Sequence, residues 1–96
     1  MYAKIHSARG ITVLACCDKK LLGKSLKDGK HAVTINRDFY GGKPTDAKEL
    51  KRLLASAGSV NLFGEKAVAV ALGEGLINGR DIIRIAGVPH VQIFRI

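Results

Sequence analysis

The chain is 96 residues long, 47% hydrophobic, with only two prolines. That is enough apolar material for one packed core and too little for two, so residues 1–96 read as a single domain and not as a disordered chain. Sixteen basic against eight acidic residues give a formal charge of +8, which attracts polyanions and repels basic partners.

Stretches free of charged and amide side chains, such as "AVAVALG", run to no more than about eight residues, far short of a membrane span. The first fifteen residues carry Lys4, His6 and Arg9 and lack an apolar leader core, so no secretory signal is expected and the cytoplasm is the expected location. Cys16 and Cys17 are neighbours, and consecutive strand residues point to opposite faces. They are expected to be reduced, structural thiols.

In chain order, "YAKIHS" alternates Tyr2, Lys4 and His6 against Ala3 and Ile5, the period of a half-buried strand. "ITVLACC" follows after an Arg9-Gly10 turn, giving an antiparallel pair. "DKKLLGKSLKDGK" holds too many lysines and glycines for a core element, with Asp18 placed to cap a single turn over Lys19–Leu22. "HAVTIN" reads as a third strand and "RDFYGGKP" as a loop. A helix follows from Asp46, which has Glu49 three residues on as in a capping box, with Thr45 the alternative cap. Ala47, Leu50, Leu53, Leu54 and Ala57 share one face, and Gly58 stops it. A second helix is expected over Val60–Glu74. It is apolar nearly all round and must be buried on more than one side, by the first helix or by a second copy of the chain. "NGRD" turns the chain, and "IIRIA" and "VQIFRI" make the last two strands. In the final one Val91 and Ile93 lie on one face, Phe94 and Ile96 on the other, which suits a strand inside a sheet or at an oligomer seam. The expected architecture is an α+β two-layer sandwich: a five-stranded antiparallel or mixed sheet with two helices on one face.

Motifs for chemistry are sparse. "GKS" at 23–25 ends like a phosphate-binding loop, but the pattern needs glycine where Asp18 stands. "GEGLING" is one residue off the dinucleotide spacing and follows a helix rather than a strand. Three scattered histidines have no zinc-ligand spacing, and nothing calls for a metal or a cofactor. Two features remain. Residues 1–30 hold seven Lys/Arg against Asp18 and Asp28, and Lys19, Lys20, Lys24, Lys27 and Lys30 could track a phosphate backbone, aided by Lys48, Lys51 and Arg52. With five aromatics there are few stacking platforms, so such recognition would lean on phosphate. The second feature is a set of polar residues beside glycines: Tyr40, Asn61, Glu65, His90 and Gln92. Asn61 would cap the second helix and Glu65 would oppose its dipole. If the fold gathers them, Glu65 could orient His90 as a general base, and the helix N-terminus could receive an anion. No nucleophile or second carboxylate stands out, so the sequence leans away from an enzyme.

The segments "CDKKLLGKSLKDG", "FYGG", "NLFGEKAV", "EGLI" and "IRIAGVPHVQIFRI", in this order and spacing, resemble the small archaeal family catalogued as domain of unknown function 424. The resemblance runs along nearly the whole chain. It implies an archaeal, cytoplasmic α+β protein of about this length and a shared surface at Tyr40, Asn61, Glu65, His90 and Gln92, and it carries no catalytic role. Three expectations result: a non-enzymatic factor bound to RNA or the ribosome through the lysine-rich segment; a small enzyme or anion-binding protein around His90, Glu65 and Tyr40; or a homodimeric interaction module built on the apolar helix and last strand.

Overall fold

A computed structural model describes residues 1–95; Ile96, which the strand pattern pairs with Phe94, lies outside the described residues. In chain order come β1 (Tyr2–Ala8), β2 (Ile11–Cys17), a 3₁₀ turn (Lys19–Leu21), β3 (Ser25–Asp28), β4 (His31–Thr34) and the single-turn helix α1 (Arg37–Tyr40). They are followed by β5 (Lys43–Pro44), α2 (Ala47–Ser56), β6 (Ser59–Phe63), α3 (Glu65–Gly73), a second 3₁₀ turn (Gly79–Asp81), β7 (Ile83–Ile85) and β8 (Val88–Phe94).

The main sheet runs β5-β1-β2-β6-β8-β7, mixed because β2 and β6 are parallel while the other neighbours are antiparallel. The α+β class with a mixed sheet is as expected, with six strands instead of five. The expected turn at Arg9-Gly10 is present, and Ala86-Gly87 makes a second of the same kind: both have positive φ, 52° and 77° in the first, 52° and 79° in the second. That is the two-residue hairpin geometry whose twist matches the strands it joins. The sequence "GVPH" suggests a corner reaching to His90, but with the turn at Ala86-Gly87 His90 sits inside β8.

The sheet has two unlike sides. On the helix face, α2 and α3 pack over Ala3, Leu14, Cys16, Val60, Leu62 and Val91. α2 forms where expected: Asp46 accepts the Glu49 amide at 2.8 Å, and it buries Leu50 and Leu54. Most of the apolar circumference of α3 is buried within the chain, where Ala67, Val68, Val70 and Ala71 join the same core as α2, while Leu72 stays 40% exposed. On the opposite, hairpin face, the β3–β4 hairpin and α1 supply Leu26, Val33, Phe39 and Tyr40, packed with Leu21 and Ile35 over Ala15, Cys17, Phe63 and Ile85. Cys16 and Cys17 therefore belong to different cores, and both are free thiols.

Four expectations are corrected here. The helix over Val60–Glu74 is a strand, Ser59–Phe63, and then a shorter helix, Glu65–Gly73. Ser59–Leu62 alternates polar and apolar, with Val60 and Leu62 facing the helices, but the alternation is only four residues long and runs through apolar Phe63, on the hairpin face, toward the apolar helix beyond Gly64. Gly64, at φ 112°, makes the break. Asn61 is consequently a mid-strand residue and caps nothing. The lysine-rich segment is no bare loop: it contains β3 and puts Leu21 in the core, 5% exposed. "HAVTIN" pairs with β3 in a separate two-stranded sheet. "RDFY" forms α1, capped by Asn36, whose side chain accepts the Asp38 amide at 2.6 Å.

Candidate nucleic-acid interface

Asp18 opens the lysine-rich segment, and its carboxylate does not cap the turn that follows it. It reaches across the fold to α3, where Oδ2 accepts the Lys66 amide at 3.0 Å and Oδ1 the Ala67 amide at 2.9 Å. The N-terminus of α3, considered above as a place for an anion, is already filled by this buried carboxylate. The fit is close. A Cβ on Gly64 would fall 2.3 Å from Asp18 Cγ, which together with its positive φ leaves only glycine there. Asp28, the other acid of the segment, accepts the Ala86 amide at 2.9 Å and ties the hairpin to the β7–β8 turn.

Both carboxylates of the segment are thus held by backbone amides. Lys19, Lys20, Lys24, Lys27 and Lys30 are all exposed, and among the described residues none of them forms an ion pair. Lys19 and Lys20 join Lys66 around a surface cavity of about 480 Å³ that Met1, Asp18 and Glu65 complete.

Lys48, Lys51 and Arg52 stand apart from this group. They lie on exposed positions of α2, on the helix side of the sheet. Arg52 also holds Glu49, its Nε donating to Oε1 at 3.0 Å, and this bond draws the Glu49 carboxyl below its ordinary range. The α2 group and the β3–β4 hairpin thus lie on opposite sides of the main sheet.

The five polar residues separate into three arrangements. Strand register places Tyr2, Cys17, Phe63, His90 and Ile83 in one row across the hairpin face, with Lys4, Ala15, Asn61 and Gln92 in the next. In the first row His90 is 9% exposed, stacks on Phe63 with ring centres 3.9 Å apart, and donates from Nδ1 to the Leu62 carbonyl at 2.8 Å. Burial lowers its pKa, against a smaller upward pull from that carbonyl, so the ring is a neutral core group. Tyr40 meets the other side of Phe63 edge-on at 5.7 Å. Burial pushes its hydroxyl above the ordinary range, and pushes Cys17 to about 11 and Cys16 to about 12. In the second row Gln92 Nε2 donates to Asn61 Oδ1 at 2.9 Å, in the open. Glu65 is in the first turn of α3, as expected, but its partner is Arg84, whose Nη1 donates to it at 3.0 Å. No hydrogen bond joins His90 to Glu65 or Tyr40 among the described residues, and the arrangement offers no acid–base pair.

This geometry can be set beside known proteins. A family described as "Protein of unknown function (DUF424)" matches residues 6–96. The chain belongs to this family. Its fold is also that of a solved structure, the crystal structure of an uncharacterized conserved protein from Methanopyrus kandleri. That protein is 32% identical, the match covers 99% of this chain and 92% of that one, and the TM-score is 0.80. No curated protein matches. Family membership agrees with the resemblance carried by "NLFGE" and "GVPHVQ". Those segments hold the break at Gly64 and the buried His90. No described helix is long and apolar enough to cross a membrane.

The residues that sequence reasoning missed are Asp18, whose partners lie 48 and 49 positions away, and Phe94, 76% exposed. For Asp18 no local signal exists. Phe94 sits in an apolar strand pattern that reads as burial.

Proposed function

We propose that this chain is a non-enzymatic RNA-binding protein, with structured RNA such as the ribosome as its target and the folded lysine-rich segment as its contact. The observation that carries the reading is the pairing pattern: five exposed lysines in twelve residues form no ion pair among the described residues, while Asp18 and Asp28 are turned to backbone amides. A rigid 3₁₀ turn and hairpin then present those charges at fixed spacing, which favours phosphate contact over a merely solvated loop. An archaeal cytoplasm, the setting implied by the family resemblance, goes with this reading.

The test is a titration of nuclease-treated protein against ribosomal subunits and bulk structured RNA over a range of salt. Log affinity is expected to fall linearly with log salt. The triple substitution Lys24→Gln, Lys27→Gln, Lys30→Gln should flatten that slope by about 2–3 units. A triple variant that binds as tightly and as salt-dependently as wild type overturns the reading.

A further inference from the structure

The hairpin face is covered over only part of its length. α1 and the β3–β4 hairpin lie over the row that holds Phe63 and His90, and over Ala15 in the next. From there the sheet continues through Lys4, Asn61 and Gln92 to a third row, His6, Val13, Ser59 and Phe94. Ile11 next to that row is 63% exposed and Phe94 76% exposed, at the end of β8 where it pairs with β6 alone. An aromatic ring that stays in water contributes little to the core of this chain. Its neighbours are of the kind that contacts a nucleobase. Gln92 and Asn61 are bonded to each other and, among the described residues, to no other group, which leaves the Asn61 amide donors and the Gln92 carbonyl for a ligand. Lys4 is fixed at the β1 margin by donating to the Asp38 carbonyl at 2.8 Å. Beside it His6 stacks on Phe39, ring centres 4.5 Å apart. No aspartate or glutamate occurs in these two rows.

We propose that this open part of the sheet is a stacking platform for single-stranded RNA: Phe94 lies under a base, the Asn61–Gln92 pair hydrogen-bonds to base edges, and Lys4 stands beside phosphate. The inference rests on the RNA-binding reading above and names the form of RNA, one with unpaired bases whose faces are free. Charge selects this occupant. The platform has a cationic margin and no carboxylate, on the same side of the sheet as the hairpin lysines. A second copy would bring +8 against +8 and bury Lys4 and the amide pair against their own kind. Recognition then includes base faces, where the sequence suggested phosphate alone.

The chain contains no tryptophan, so Phe94→Trp puts a single indole on the platform while keeping an aromatic ring. The probes are a ten-nucleotide oligouridine and a ten-base-pair RNA duplex. Fluorescence of the F94W protein is read alongside anisotropy of labelled RNA with wild type, Phe94→Ala and the triple lysine variant. Oligouridine should quench the indole to saturation and the duplex should not. Phe94→Ala should weaken oligouridine binding about 5- to 150-fold, leaving duplex binding and the salt slope as in wild type. Oligouridine binding without an indole change, or Phe94→Ala binding like wild type, overturns the platform. So does failure of oligouridine to bind at all, or an indole shift that follows protein concentration without RNA, which would mean self-association. The two readings fail separately: a normal salt slope in the triple lysine variant with loss in Phe94→Ala removes the lysine contact and keeps the platform, and the reverse pattern removes the platform alone.

Discussion

The two faces of the sheet are closed by different means. The helix face is sealed by two helices whose apolar stripes meet each other and six sheet residues, with Leu14, Leu50, Leu54, Leu62, Val60 and Val91 almost wholly removed from water. The hairpin face is closed by a four-residue helix and two four-residue strands. These cover the row of Phe63 and His90, Ala15 in the next row and, through Phe39, one side of His6, and leave Gln92 and Phe94 of β8 exposed. A helix can hold a continuous apolar stripe while its far side stays polar. A short hairpin places every second residue outward, and here those outward positions include Lys27. The stiff side thus supports a thin, basic side on which function can sit. Asp18 joins them, since it leaves the lysine-rich segment and binds the first turn of α3.

The comparison can be broken by core truncations. Leu54→Ala on the helix face should cost about 2–5 kcal/mol, and Leu26→Ala in the half-covered hairpin about 1 kcal/mol, both by urea unfolding. Equal losses would mean that the hairpin face is as tightly closed as the other. Asp18→Ala removes the shared link and leaves two amides without a partner. An expected loss of roughly 1–3 kcal/mol should come with faster amide exchange both in the first turn of α3 and in the Lys19–Leu21 turn. Faster exchange in only one of them would show that the faces are not coupled through this carboxylate.

Much of this was legible beforehand for physical reasons. α2 announces itself by its periodicity and the Asp46 cap, and the β1–β2 turn by glycine at its second position. β6 was hidden because its polar–apolar alternation, Ser59 to Leu62, is only four residues long and Phe63, facing the other core, joins it to the apolar run of α3. The polar residues read as one conditional group in the sequence, and the structure divides them into three arrangements. Nearness to glycine in the chain says nothing about register, and register is what sets Asn61 against Gln92, sends Glu65 to Arg84 and buries His90 on Phe63.

A smaller effect sharpens the account of His90. Its folded pKa lies below the ordinary 6.5 because the ring is buried, so the unfolded chain takes up the proton first. The contribution is fully present above about pH 6.5 and is lost as pH falls toward the folded value. Unfolding free energy should decline as pH falls below about 6.5, and His90→Gln should reduce that decline. An unchanged decline would place its source elsewhere.

The most direct test of the central claim pits the two basic groups against each other at equal charge. Lys24→Gln, Lys27→Gln, Lys30→Gln on the hairpin side and Lys48→Gln, Lys51→Gln, Arg52→Gln on α2 each remove three positive charges from +8, leaving +5. Affinity for ribosomal subunits, measured across salt, should fall with a flattened slope in the hairpin variant and change little in the α2 variant. Equal losses in both would show that the protein responds to net charge alone, and would contradict a defined RNA-binding face.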